Sequence, residues 1–482
     1  MPQDASDDPG RFQAHVDAWD EDQQLFKGLH QTYDDEMESI GGLRRRRRRA
    51  SNTAGDPIKT VSLVEEDGVL FWRDDVPAPV AAPARLDIGP RARRRLRRAG
   101  IPLPPVQESP EMGHGPLVLT RTFPVLAPNR IVAAVGAIDR KLNPAVDVAL
   151  RSRLRPLRKA ADGSFVLMDE ADITGILEGR TLLFVHGTFS NAANMLDEFK
   201  ATDEGLRFLK AVTGGAKKYD NVVFFEHATL AVSPVLNALE LGRFFARASG
   251  RIDVIAHSRG GLVVRWWLEA FGKSLSVLPG MPVRAILVGS PLRGTSLAAP
   301  DKLQGVLSLL SNIGSFAQAT LNLVGPANPF LWVAGKLVQV VVSATGALAR
   351  TPLVDGLVAL VPGLSGQSAV ENNHEIDRLR LGPCAVDPQY YAVQSNFETP
   401  DPGWKFWQNF RAMRAGDLAA NAVFEGPNDL VVDTRFMTDL GVPNLRLADS
   451  PCDFGTSDTV WHCNYFRQPK TIGYLAEKLG LN

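Results

Sequence analysis

Short, largely apolar stretches alternate with amphipathic stretches along the chain from about residue 180 onward. Strands that are buried on both faces are apolar throughout, and neighbouring parallel strands need a crossover helix between them. The pattern therefore predicts an α/β fold over 176–482, with a mostly parallel sheet and helices on both faces. Ligands of such sheets bind beyond the carboxyl ends of the strands. The five apolar runs lie at 182–185, 222–225, 252–256, 285–288 and 390–393.

The residues before 176 have a different pattern. Residues 111–175 carry short apolar stretches separated by Pro, Asn, Asp and Gly, which predicts a small β-rich lead-in. Residues 1–110 are rich in charge, Pro and Ala and cannot bury enough apolar surface to offset their ordering entropy, so we expect a mostly disordered arm. Within it, the apolar segment 60–72 predicts a strand pair or a docking segment. The stretches predicted as strands in the lead-in are 117–126, 131–138 and 164–168.

Composition removes several classes of function. The 53 basic and 53 acidic residues give a formal net charge of zero, so the overall charge gives no reason to expect a polyanionic partner. Cys384, Cys452 and Cys463 are too few for a disulfide framework or a four-cysteine zinc site. The chain start lacks the features of a secretory signal, and no apolar window is long enough to span a membrane. We expect a cytoplasmic protein, at most peripheral at a membrane, without a metal.

Charge is uneven within the arm. The first 40 residues are acidic, and they are followed by a run of six arginines that begins at Arg44 and ends at Arg49. A second basic block begins at Arg91 and ends at Arg98. One interpretation is a solvated linker that folds back on the acidic start. The other is a patch that binds anionic lipid or nucleic acid electrostatically.

The strongest chemical signal is Ala-His-Ser-Arg-Gly at 256–260, between a predicted strand and a predicted helix at 262–271. A nucleophile elbow turns so sharply that only small residues fit two positions before and after the nucleophile. Ala256 and Gly260 satisfy this requirement around Ser258. An ordinary strand-to-helix turn with a capping serine is the alternative.

A second signal is His186-Gly187-Thr188, which follows another apolar strand. A loop of this kind turns its backbone amides toward the elbow, where negative charge develops on oxygen during acyl transfer. We expect the oxyanion donors to be the N–H groups of Arg259 and Thr188, or of Phe189 if the loop is shifted by one residue. His186 is then a structural hydrogen bonder.

These motifs resemble the α/β-hydrolase superfamily, and within it the serine lipases and esterases with His-Gly-x and Ala-His-Ser-x-Gly-Gly motifs. The resemblance covers about 175–482 and includes Gly-Ser-Pro at 289–291. It implies an α/β-hydrolase fold and a catalytic triad in the chain order Ser, then Asp or Glu, then His.

Two histidines follow Ser258 in the chain, His374 and His462. His374 lies in a polar, surface-like segment with too little chain before it to supply the acid-bearing strand. His462 lies shortly before a predicted C-terminal helix at 471–479, where the superfamily places its catalytic histidine. We therefore expect His462 to be the general base. Cys463 beside it lacks an elbow and is interpreted as a packed cysteine.

The acid is expected at a strand end between the serine and the histidine. Asn428-Asp429-Leu430-Val431 resembles the Asn-Asp-Gly-Leu-Val turn of lipases without its glycine. Asp429 is the predicted carboxylate that orients His462, and Asp433 is the alternative.

Residues 300–385 exceed what the remaining sheet needs and are rich in Leu, Val, Ala and Gly, without charge between Lys302 and Lys336. They predict a helical cap that favours hydrophobic acyl groups, or else plain core or an oligomer interface. The resulting hypothesis is a serine esterase of lipid-like esters, acting through Ser258, His462 and Asp429 without a metal or organic cofactor. The alternatives are a thioesterase, amidase or acyltransferase with the same triad, and an inert hydrolase-fold binding protein localised by its arm.

Overall fold

The computed structural model describes residues 60–66, 69–74 and 119–124, most of 131–298, residues 309 and 312, and most of 361–399 and 423–481. The strands are β1 (Thr60–Glu66), β2 (Val69–Asp74), β3 (Leu119–Pro124), β4 (Arg153–Lys159), β5 (Phe165–Leu167), β6 (Thr181–Val185), β7 (Asn221–Glu226), β8 (Ile252–His257), β9 (Arg284–Val288), β10 (Gln389–Phe397) and β11 (Cys452–Ser457). The helices are α1 (Ile131–Leu142), α2 (Ala192–Lys200), α3 (Asp203–Thr213), α4 (Pro234–Phe245), α5 (Gly260–Arg265, continued as a π-helix over Trp266–Phe271), α6 (Pro362–Ser365), α7 (His374–Leu381) and α8 (Pro469–Leu479).

The main sheet has eight strands in the order β11-β10-β9-β8-β6-β7-β4-β5. The strands from β11 to β7 in this order are all parallel to their neighbours, and β4 and β5 add an antiparallel edge. The five apolar runs of the sequence all lie in its parallel part. β1 pairs antiparallel with β2 and β3 in a separate small sheet, so 60–72 does contain a strand pair.

Helices cover both faces of the main sheet. Successive side chains of a strand point to opposite faces, and Leu183 and Val254 pack in a core with residues of α4 and α5. Phe184 and Ile255, each one residue further along, pack in a second core with residues of α2, α3 and α8. This architecture confirms the predicted α/β-hydrolase fold and explains why the central strands are mostly apolar.

The strand predicted at 131–138 is wrong, because this stretch belongs to helix α1. Its buried apolar residues Val135, Ile138 and Leu142 recur at helical spacing. Asp139 is also buried and accepts hydrogen bonds from the backbone N–H groups that follow β7, including that of Leu230 at 2.9 Å. Packing and this tertiary contact outweigh the strand propensity of the β-branched residues at the start of the segment.

Several predictions fall outside the described residues. They include most of the arm, with both arginine blocks, and most of the cap at 300–385. The main sheet itself extends upstream of residue 176, because β4 pairs with β7. Within the part of the chain that the structure describes, no helix has both the length and the apolar character needed to cross a membrane.

A buried carboxylate connects neighbouring strands of the main sheet near their amino ends. Asp253 of β8 is fully buried and accepts two hydrogen bonds from Arg284, at 2.7 and 2.6 Å, and one from the Tyr219 hydroxyl at 2.8 Å. Burial by itself raises the pKa of Asp253, but the hydrogen bonds and charge of Arg284, with Tyr219 and Arg251, outweigh it and lower the pKa below its usual value. The ionised carboxylate therefore stabilises the fold.

We expect Asp253→Asn to lower the free energy of unfolding near pH 7 by about 3–5 kcal/mol, because it removes a fully buried charge and leaves the half-buried Arg284 without its charged partner. The folded-state pKa of Asp253 lies below the unfolded value of about 3.9, so this stabilisation is present above about pH 4 and is lost as the pH falls through the folded value. Urea unfolding of wild type and variant at pH 7 and near pH 3 measures it. Glu204→Gln, which breaks an exposed pair with Arg207, is the control and should change little. An Asp253→Asn effect that is equal at both pH values would contradict the argument.

Candidate active site

Ser258 follows β8 at the carboxyl end of the sheet, in a sharply turned backbone. Its φ is +54°, a left-handed conformation that side chains rarely adopt, and its N–H donates to the Val288 carbonyl at 2.9 Å. A Cβ at Gly260 would lie 2.5 Å from the carbonyl oxygen of Val185 and 2.7 Å from that of His186. The small residue two positions after the serine is thus required by the backbone beside the neighbouring strand β6.

A continuous hydrogen-bonded chain starts at this serine. The Ser258 Oγ lies 2.9 Å from His462 Nε2, and His462 Nδ1 lies 2.8 Å from Asp429 Oδ2. All three side chains are buried. The structure therefore brings together the three residues that the sequence nominated separately, across 204 residues between Ser258 and His462.

Asp429 is held by its own turn. Its Oδ1 accepts the N–H groups of Val431 at 3.1 Å and Val432 at 2.8 Å, which leaves Oδ2 directed at His462. Leu430 has a φ of +79° at the position where the lipase-like turn has glycine. The left-handed backbone of this turn is thus kept without glycine, at a cost of about 1–2 kcal/mol that the surrounding packing offsets.

The His-Gly loop runs directly against the serine. A Cβ at Gly187 would lie 2.5 Å from the Ser258 Cβ, so a side chain there would collide with the elbow. The loop then turns through Phe189, whose φ is +58°, while the Thr188 side chain pairs with Gln367. The His-Gly loop therefore passes the elbow at Gly187, and the oxyanion role of the Thr188 or Phe189 N–H stays a prediction.

Buried side chains anchor both parts of this backbone. His186 is buried, with Nδ1 3.1 Å from the Gly187 carbonyl oxygen, and its Nε2 accepts the N–H of His227 at 3.3 Å. The Arg259 guanidinium is fully buried and donates to the Asn237 side-chain oxygen at 2.8 Å. Burial lowers the pKa of Arg259 to about 10, against the opposing charge of Asp139. The side chain of Arg259 thus points into the protein, while its backbone follows Ser258.

The alternative candidates from the sequence contact other partners, lie at the surface or lack the needed chemistry. Asp433 is buried, but its Oδ2 accepts the Ser296 N–H at 3.1 Å. His374 is exposed at the start of α7. Burial raises the pKa of the Cys463 thiol well above its usual value, which keeps it protonated and a poor nucleophile. In the described part of the chain, no three His, Cys, Asp or Glu residues are grouped to hold a metal ion.

Sequence reasoning missed two residues that contact the hydrogen-bonded series Ser258–His462–Asp429. The Tyr465 hydroxyl donates to Asp429 Oδ2 at 2.9 Å, the same oxygen that faces His462. His257 Nε2 donates to the His462 carbonyl oxygen at 2.9 Å, and burial together with His462 lowers the pKa of His257 to about 3. His257 is therefore neutral at pH 7. The only sequence signal for His257 was its position next to Ser258. Tyr465 had no sequence signal, because its contact with Asp429 depends on the path of its loop.

A family model described as a domain of unknown function (DUF7379) matches residues 155–480. The chain belongs to the DUF7379 family. The match begins inside β4, so the family domain includes the antiparallel edge of the main sheet. A comparison with curated proteins gives no match.

Solved structures similar to this DUF7379 protein include lipase 1 from Pelosinus fermentans, with 14% identity, a TM-score of 0.39, and coverage of 62% of this chain and 98% of the lipase. A gene product of Listeria innocua has 13% identity, a TM-score of 0.30, and coverage of 62% and 94%. An epoxide hydrolase from metagenomes of hot environments has 12% identity, a TM-score of 0.29, and coverage of 67% and 98%.

Proposed function

We propose that this DUF7379 protein is a serine hydrolase that cleaves carboxylic esters through an acyl-enzyme. The observation that carries the proposal is the chain from Ser258 Oγ through His462 to Asp429, with both links at hydrogen-bond distance. A nucleophile, a base and an orienting carboxylate in this sequence are what activation of a serine hydroxyl requires. The strained φ of Ser258 supports it, because such backbone strain is concentrated at functional sites.

In the acylation step, Ser258 Oγ attacks the ester carbonyl carbon while His462 Nε2 accepts the hydroxyl proton. Asp429 accepts the Nδ1–H of His462, which fixes the tautomer and stabilises the imidazolium as it forms. The carbonyl oxygen becomes an oxyanion, and we assign its stabilisation to the backbone N–H of Arg259 and of Thr188 or Phe189. The C–O bond to the alcohol then breaks, and His462 donates the proton to the departing oxygen.

In the deacylation step, water takes the place of the alcohol. His462 Nε2 accepts a proton from the water, whose oxygen attacks the acyl carbon and forms a second oxyanion. Collapse of this intermediate releases the carboxylic acid, and the proton returns to Ser258 Oγ. No metal or organic cofactor enters either step.

The same first step would open a thioester or an amide, or transfer the acyl group to another acceptor. We favour an ester with a hydrophobic acyl group because of the uncharged sequence between Lys302 and Lys336, most of which lies outside the described residues. A cytoplasmic location and the binding of an anionic partner through the two arginine blocks stay predictions from the sequence. An inert binding protein is the competing proposal, and it predicts an unreactive serine.

A fluorophosphonate probe separates a reactive serine from an inert fold. We expect purified protein to be labelled at Ser258, because the probe reacts with a serine whose hydroxyl is activated by a neighbouring base. Peptide mapping by mass spectrometry identifies the labelled residue. Ser190→Ala, which removes a nearby hydroxyl in the His-Gly loop, is the matched control and should still be labelled. Absence of label on Ser258 in folded protein would reject the proposed function.

A further inference from the structure

A cavity of about 100 Å³ lies beside the hydrogen-bonded chain. Its described lining comes from the loop 188–190, from α2, from His257 and from the segment 462–467. A water molecule occupies about 30 Å³ of the liquid. The cavity therefore has room for more than one water, and so for a small organic group.

The position of the cavity relates it to the leaving group of the proposed reaction. His462 Nε2 must donate its proton to the departing alcohol oxygen, so the alcohol has to lie on the side of the imidazole. The cavity is lined by His462 and by Cys463, the next residue, as well as by the His-Gly loop. The lining includes the base and the loop assigned to the oxyanion but not Ser258, so the cavity adjoins the serine and can take the alcohol part of an ester that Ser258 attacks.

The wall of this cavity contains an ion pair. Arg467 Nε donates to Glu198 Oε2 and Arg467 Nη2 to Glu198 Oε1, both at 2.7 Å. Glu198 lies on α2, and Arg467 lies five residues after His462, so the pair links α2 to the segment that carries the base. The side chains are 24% and 44% exposed, respectively, so both are still in contact with solvent.

This pair makes an apolar leaving group unfavourable. An alkyl chain pressed against it would remove water from two charged groups without offering a hydrogen bond in return. A hydroxyl or ether oxygen can replace that water, because each carboxylate oxygen has a second lone pair and the guanidinium has further N–H groups. The wall therefore discriminates by polarity, and the small volume of the cavity discriminates by length.

We propose that the Glu198–Arg467 pair makes the leaving-group side of the site selective for short alcohols that carry a hydroxyl or ether oxygen. This inference rests on the proposed ester hydrolysis and adds the class of alcohol that is released. Glu198 and Arg467 act as specificity-determining residues, since neither takes part in proton transfer.

The test compares 2-hydroxyethyl butyrate with propyl butyrate, which share the acyl group and have the same number of non-hydrogen atoms. We expect wild type to prefer the hydroxyethyl ester by about tenfold in kcat/KM, the ratio that corresponds to one net hydrogen bond. In Glu198→Met/Arg467→Met the preference should fall to about the ratio of the uncatalysed hydrolysis rates. Hexyl butyrate should gain relative to propyl butyrate in the same variant, because the wall becomes apolar and flexible.

Three controls keep the result interpretable. Glu204→Met/Arg207→Met removes an exposed ion pair on α3, outside the cavity, and should keep the wild-type ratio. Fluorophosphonate labelling at Ser258 checks that each variant is folded. Glu198→Gln removes the charge with little change of shape and is used if the double variant is unfolded. It should partly reduce the preference for the hydroxyethyl ester over the propyl ester. A wild type that prefers the propyl ester, or a ratio unchanged in labelled Glu198→Met/Arg467→Met, would overturn the inference and leave the hydrolase proposal intact. Absence of both labelling and ester turnover in wild type would remove both.

Discussion

Ser258→Ala is expected to lower kcat/KM for ester hydrolysis by about five orders of magnitude, because it removes the atom that forms the acyl-enzyme. His462→Ala should cost about as much, since without the base the Ser258 hydroxyl stays protonated. The two residues act as one unit, so the double variant should be no slower than either single variant by more than a few fold. Initial rates of hydrolysis of p-nitrophenyl esters with short and with long acyl chains measure these losses.

Folding must be separated from chemistry in this experiment. Ser258→Ala removes one hydroxyl from a buried position and should change the midpoint of urea unfolding only slightly. Because Ser258 has a φ of +54°, relief of strain is not expected from alanine, which is equally disfavoured there. Turnover that is unchanged in a correctly folded Ser258→Ala protein would end the serine mechanism.

Asp429→Asn is expected to lower kcat by about four orders of magnitude, with a smaller effect on KM. The amide would be held by the same turn, because Val431 and Val432 can still donate to its oxygen. Its NH₂ group would then face His462 Nδ1 and favour the tautomer that carries the proton on Nε2. A histidine in that tautomer cannot accept the serine proton.

Asp433→Asn is the matched control for this variant. Asp433 is four residues further along, equally buried, and was the alternative acid of the sequence, but its carboxylate accepts the Ser296 N–H. Its replacement should reduce kcat by less than about tenfold, through small changes in the turn. A loss that is larger for Asp433→Asn than for Asp429→Asn would assign the role to Asp433 and contradict the observed hydrogen bond.

The fold was largely predictable because its signals are local. The five central strands are largely apolar runs, and the elbow is specified by small residues around Ser258 within five positions. The segment 131–138 was not predictable in this way. Its β-branched residues favour a strand locally, and only the packing of Val135 and Ile138, with the contact of Asp139 to the chain after β7, selects the helix.

The candidate site was predictable in its residue types and less so in its surroundings. His462 could be nominated because few histidines follow the serine, whereas Asp429 and Asp433 stand in the same turn and differ in which partner each carboxylate meets. Tyr465 and His257 carried no pattern of their own. Their contacts with Asp429 and His462 exist because two loops that are distant in sequence pass each other at the end of the sheet.

The amino-acid sequence by itself determined the alternation of strands and helices and the sharp turn at Ser258, since steric limits and apolar periodicity act between residues close along the chain. Tertiary structure alone decided which carboxylate faces the imidazole, that Leu430 takes a left-handed turn without glycine, and that Glu198 meets Arg467 across 269 residues. The reason is that hydrogen bonds and ion pairs form only within about 3–4 Å. Whether two distant side chains come that close depends on the path of every element between them.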